Sequence, residues 1–260
     1  MSLTKHPSPA GPATRPRALP ELALVAILFL AYKLARALIQ GHVVRAFDNA
    51  WRIWDLERLL HLPSEVSVQR VLLPHTSLLH LANGYYAYVH FPATAAFLLF
   101  MYLRRPAHYQ WARRTIAGLT AAALLVHILL PLAPPRMLTG TGMVDTGRLF
   151  GPAVYGNVNT DTLTNQYAAM PSLHVGWALA IAVGLIATTR SRWRWAWLLH
   201  PLITGAVVVV TGNHYWLDGI VATALLTVVL VICPWPGREP HRFFGRAVRP
   251  AIPATVEQPA

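Results

Sequence analysis

What this chain can fold into is limited first by its long apolar runs. Residues 22–39, 72–103, 115–132, 172–189, 195–211 and 216–234 are almost free of acidic and basic side chains. A helix that crosses the hydrocarbon core of a bilayer needs about 20 such residues. Inside lipid the backbone must satisfy its own hydrogen bonds, so runs of this length read as helices. The expectation is an all-α fold, a polytopic membrane helical bundle with six transmembrane helices. With 55% of residues hydrophobic and 12% charged, little is left for a large soluble domain.

The remaining segments divide the chain. Residues 1–20 are rich in Pro, Ala and Ser with a few basic groups and read as a disordered basic tail. Residues 21–70 hold the first transmembrane helix and a two-faced stretch. In that stretch Val43, Val44, Phe47, Trp51, Trp54, Leu59 and Leu60 alternate with Arg45, Asp48, Arg52, Asp55, Glu57 and Arg58. Such spacing suits an interfacial amphipathic helix lying at the membrane surface. The first run carries Lys33 and Arg36 near its end, where basic side chains can snorkel. A cleaved signal peptide is the alternative for it, although the topology works better with the helix retained. Residues 71–235 form the membrane core, with 72–103 as one long or broken helix. Residues 236–260 are a second basic, disordered tail.

Charge placement orients the bundle. The net charge of +12 needs no nucleic-acid partner, because Lys and Arg collect in cytoplasmic loops. Six crossings with both termini cytoplasmic put four basic clusters on one side, holding 14 of the 22 Lys and Arg residues. Seven of the ten acids fall on the other side. The expected location is the plasma membrane, multi-pass, with the bilayer as a partner. The single cysteine, Cys233, permits neither an internal disulfide nor a Cys-based metal cluster. His75, His80 and His90 have no same-face ligand spacing, so neither metal nor cofactor is expected.

In this topology three polar stretches reach the outer face: "PLAPPRML", "AAMPSLHVGW" and "TGNHYWLDG". His214 and Asp218 stand four residues apart, on one face if the segment is helical. A carboxylate that accepts from one imidazole nitrogen exposes the other as a base or nucleophile. Taken alone, Asp218 could simply favour a helix start and His214 lie in the interface. His174 follows Pro171 and Ser172, residues suited to a helix N-terminus. The N–H groups there attract an anion such as phosphate, and His174 would stand beside it as a proton donor. Arg136 follows two prolines, and its guanidinium can grip phosphate oxygens. Together these residues make a phosphoryl-transfer set. The long connection over residues 139–169 suggests a lid or binding element, in which Asp145, Arg148, Asp161, Asn165 and Gln166 could meet a headgroup.

The motifs resemble those of the type 2 phosphatidic acid phosphatase superfamily, and most resemble the branch containing inositol phosphorylceramide synthases and their bacterial relatives. Pro171-Ser172-Leu173-His174 matches the family's Pro-Ser-x-His motif, and His214 to Asp218 its His-x-x-x-Asp. "APPRM" is a reduced form of its first motif. The resemblance, over roughly residues 70–235, implies a metal-independent lipid phosphatase or phosphotransferase. It would act on a membrane lipid phosphate, with water, an alcohol or inositol as acceptor. His214 would attack phosphorus to give a phosphohistidine, Asp218 would orient it, and His174 would protonate the leaving oxygen. Arg136 and Ser172 would hold the phosphoryl oxygens, with Asn213, Tyr215 or Tyr167 as compensating groups. Compensation is needed because an Arg is usual where this chain has Val208, and the first motif's upstream Lys has no counterpart in residues 115–135. A non-catalytic transporter or scaffold that keeps the fold with a degraded site is the competing reading.

Overall fold

The computed structural model describes residues 18–39, 42–154 and 165–236, and every element longer than an isolated bridge among them is helical. Both basic tails lie outside the described residues, apart from a few residues at their inner ends, and so does Asp161. Ten α-helices follow one another: α1 Ala18–Ile39, α2 Val43–Leu59, α3 Glu65–Leu72, α4 Thr76–Tyr88, α5 His90–Arg104, α6 Pro106–Leu129, α7 Thr146–Phe150, α8 Leu173–Thr188, α9 Leu199–Val210 and α10 Trp216–Ile232. Two spans are long and apolar enough to cross a membrane, α6 and the continuous stretch 192–210 that ends in α9. A third results if α4 and α5, bent by 49° at their joint, act as one. Helices α8 and α10 are apolar too but shorter, at 16 and 17 residues.

The bend has a local cause. Pro92 lacks a backbone N–H, so the ladder cannot run unbroken from α4 into α5. The expected amphipathic helix over 43–70 is in fact two helices. His61 takes a left-handed φ of 55°, and Ser64 restarts the chain by accepting from Ser67 N. The polar residues of most consequence here face inward: Glu57, Glu65 and Gln69 are fully buried.

Helices α6, α8 and α10 pack against one another, α5 and α9 flank them, and α1 lies on α6. Phe97, Met101, Leu119, Ile181, Leu185, Leu226 and Val229 form the main core. Gly184 lets α5 close on α8, since a Cβ there would come 2.7 Å from the Phe97 ring. At the opposite end α2 holds the exit of α6: Asn49 donates to the Pro131 carbonyl at 2.9 Å, and Ala133 N donates to Ala46 O at 3.1 Å. That end carries the polar motifs.

Candidate active site

Three chain segments are tied together by backbone hydrogen bonds before any side chain acts. Leu132 and Ala168 form a short parallel bridge, Arg136 N donates to Gly212 O at 2.9 Å, and Ser172 N donates to Asp218 O at 3.1 Å. Gly212 adopts φ +69°, and a Cβ there would stand 3.0 Å from the Arg136 Cβ. Only glycine takes this turn without strain. The turn brings the segment 213–215 beside the 3₁₀ turn Pro135–Met137.

His214 is buried, with Nδ1 2.7 Å from Ala169 O and 3.1 Å from Asp218 Oδ2. A carbonyl can only accept, so Nδ1 carries the proton and Nε2 keeps its lone pair. Asp218 is fixed in turn, because its Oδ2 also accepts from Tyr215 N at 2.9 Å. Burial, aided by the Arg136 cation, pushes the His214 imidazole down to about 4, against the pull of the Ala169 carbonyl. The ring is therefore neutral at physiological pH.

His174, one residue inside α8, lies with its ring centroid 5.8 Å from that of His214. It is held in a column of rings, stacked on Tyr86 at 4.3 Å and next to His90 at 4.2 Å, and His90 stacks on Trp177 at 4.4 Å. Ser172 is fully buried and caps α8, its hydroxyl accepting from Val175 N at 3.4 Å. The preceding Pro171 carbonyl accepts from His127 Nε2 at 3.2 Å.

Arg136 donates to Asn213 Oδ1 at 2.5 Å, and its Nε lies 3.5 Å from Asp145 Oδ2. Both Arg136 and Asn213 line a cavity of about 520 Å³, together with Asn83, Asp145, Arg148 and Gln166. Tyr215 is placed otherwise: its hydroxyl donates to Ala133 O at 3.0 Å, and the ring is buried outside this cavity's lining. Val208 is buried against Tyr86, and its carbonyl accepts from both Asn213 N and His214 N. Its side chain carries no charge to offer a phosphate, although it borders the small cavity that His174 also lines. The 139–154 part of the long connection is pinned rather than loose. Gln69 binds Val144 N and O and Val210 O, and Asn83 binds Thr146 and the Gly151 carbonyl.

Several positioning groups escaped the sequence reading. Gln69, Asn83 and His127 each look like stray polar residues in apolar helices, and the sequence does not show which backbone groups they meet. Glu57 is the sharpest case: its Oε1 accepts from Leu217 N at 2.7 Å and so caps α10. Desolvation, a hydrogen bond to Glu65 and that carboxylate's charge push Glu57 up to about 9, so it is protonated beside a carboxylate that Arg58 binds at 2.6 Å. An acid at that position in a two-faced helix reads as a solvated group. Among the described residues, no group of three or more His, Cys, Asp or Glu is arranged to hold a metal ion.

No curated protein and no solved structure matches the chain significantly. A family model described as the PAP2 superfamily matches residues 51–232, which contain α3 to α10, most of α2 and every residue of the site described above, and the chain belongs to that superfamily, the type 2 phosphatidic acid phosphatases.

Proposed function

We propose that the protein is an integral membrane phosphatase or phosphotransferase that acts on a phosphate ester of a membrane lipid without a metal. The observation that carries the proposal is the tautomer of His214: a neutral imidazole, protonated at Nδ1 toward Ala169 and Asp218, beside an arginine and a second histidine. Superfamily membership supports phosphate chemistry of this kind. His214 Nε2 attacks phosphorus, and the P–O ester bond breaks. The leaving oxygen takes the electron pair and a proton from His174. Asp218 stabilises the imidazole as it becomes cationic. Arg136 and Asn213 hold the phosphoryl oxygens as charge develops, while Ser172 and Tyr215 keep the two helix starts in register. Water or an alcohol then attacks the phosphohistidine, and its proton returns to His174.

A second cavity of about 350 Å³ supports a lipid substrate. It is an apolar groove between α8, α9 and α10, lined by Leu179, Leu202, Gly205, Val208, Ile220 and Tyr215. It reaches Tyr215, next to the nucleophile. We place six crossings in the plasma membrane, with both termini cytoplasmic, the site facing outward, residues 71–235 as the catalytic core and 21–70 as an anchor and interfacial part. The resemblance to the inositol phosphorylceramide synthase-like branch supports inositol or another alcohol as acceptor. Purified protein incubated with radiolabelled phosphatidic acid and phosphatidylinositol, with and without free inositol, tests this. Phosphate release without acceptor marks a phosphatase, and label transferred to the added alcohol marks a phosphotransferase. Absence of both with every donor overturns the proposal.

A further inference from the structure

The cavity holds more than a cation for phosphate. Its charged lining groups are Arg136, Arg148 and Asp145, a net of one positive charge. Asp145 Oδ2 is 3.5 Å from Arg136 Nε, the side chain expected to grip phosphate, and Asp145 is about one-third exposed, toward the cavity. Behind His214 stands the carboxyl group of Asp218, fully buried. Where a further cation could have met phosphate, the chain has Val208, buried among apolar side chains.

We infer that Asp145 selects the charge of the phosphate group, so that the site takes a phosphodiester monoanion in preference to a phosphomonoester dianion. This rests on the phosphoryl-transfer reading and narrows its substrate class. Any phosphate on Arg136 sits next to the Asp145 carboxylate. Coulomb repulsion scales with the phosphate's charge, so a monoester at −1.5 to −2 suffers nearly twice the penalty of a diester at −1. The cavity's single net positive charge balances the diester and leaves the monoester in excess. Repulsion built against the wrong ligand is a common source of specificity. Asp145 also has a fixed place: its Oδ1 caps α7 by accepting from Arg148 N at 3.0 Å, so the carboxylate cannot easily swing away.

With a diester, the chemistry balances as follows. The His214 Nε2–P bond forms and the P–O bond to one alcohol breaks. That oxygen takes the proton from His174, and the second ester stays on phosphorus. An acceptor O–H then attacks, restoring neutral His214, and its proton reprotonates His174.

The test is Asp145→Asn, which keeps a capping oxygen for α7 and removes the charge. In mixed micelles, kcat/KM is compared for phosphatidic acid and phosphatidylglycerol of identical acyl composition. Wild type should favour the diester, and Asp145→Asn should raise the monoester-to-diester ratio about tenfold. A second arm needs no turnover: thermal-shift titration with sulfate, a dianion, and methanesulfonate, a monoanion of similar shape. Wild type should be stabilised at lower methanesulfonate than sulfate concentration, and the variant should gain sulfate affinity selectively. An equal change for both anions, or a wild-type preference for the dianion, overturns the inference. If neither lipid is turned over while the anion selectivity and its Asp145 dependence hold, the transfer reading fails and charge selection stands.

Discussion

The two sides of the site are built differently. On the side of the proposed nucleophile, His214, Asp218, Ser172 and Tyr215 are almost fully buried, and each makes at least one hydrogen bond to backbone. On the other side Arg136 and Asn213 are also mostly buried, but they line a cavity and meet through side chains, Arg136 donating to Asn213 Oδ1 and lying beside Asp145, whose other oxygen is held by Arg148 N. The first side can be set before substrate arrives, because helix starts and carbonyls do not rearrange. On the second, an entering phosphate can replace the side-chain contacts of Arg136, while Asp145 stays on its cap. Rigidity is where attack geometry matters most, and exchangeable contacts are where a charged ligand must displace others.

That contrast is open to attack by mutation, starting with the rigid side. His214→Ala should lower turnover by about 10⁴-fold or more, as loss of a nucleophile does, measured at a temperature where the variant still shows a folded baseline. His174→Ala should cost about 10²–10⁴-fold, the usual range for general acid catalysis. The loss should shrink for a p-nitrophenyl phosphate ester, whose leaving group needs no proton. Arg136→Ala, on the exchangeable side, should cost about 10²–10³-fold. Because that interaction forms on binding, KM should rise along with the fall in kcat. Gly205→Leu should fill the apolar groove, since a Cβ at Gly205 meets open space. It should raise KM for long-chain lipids about tenfold and leave a short-chain substrate unaffected, because only the removed tail contacts distinguish them.

The smallest expected effect is on pH dependence. Glu57 is raised from 4.5 to about 9, so between those values the folded protein binds the proton that the unfolded chain has lost. Its contribution to stability is complete below about 4.5 and declines as pH rises through 9. Glu57→Gln keeps an oxygen for Leu217 N and cannot ionise. It should therefore flatten the alkaline fall of the melting temperature by a few degrees. His214 has the opposite sense. Lowered from 6.5 to about 4, it costs stability as pH falls through 6.5 to 4. The acid limb of kcat/KM that belongs to the nucleophile should therefore lie near 4, not 6.5.

The all-helical character was legible because apolar length and Pro, Ser and Gly punctuation act locally, whereas of the six expected crossings only two, or three with the bent pair, are long and apolar enough among the described residues. Arg136, His174, His214 and Asp218 were singled out by motif spacing, and in the structure His214 meets Asp218 and lies near His174, on segments tied by backbone to that of Arg136. What sequence could not reveal was where individual hydrogen bonds end. Tyr215 sits beside His214 in sequence, yet its hydroxyl meets Ala133, 82 residues away. Glu57 lies 160 residues from the backbone N–H it accepts. Asp145 was named only as a group that could meet a headgroup, and it approaches Arg136 from a connection whose neighbouring residues Val144 and Thr146 are held by Gln69 and Asn83. Partners so far apart leave no periodic trace, whereas a helix face does.

The most direct measurement is to trap the phosphorylated protein. The enzyme is mixed with a ³²P-labelled lipid donor, quenched at alkaline pH within its first turnover, and the modified peptide is mapped. The expected result is acid-labile, base-stable label on His214, absent in His214→Ala and accumulating in a variant slowed at the second step. Label on another residue, or full turnover by His214→Ala, would contradict nucleophilic attack by His214.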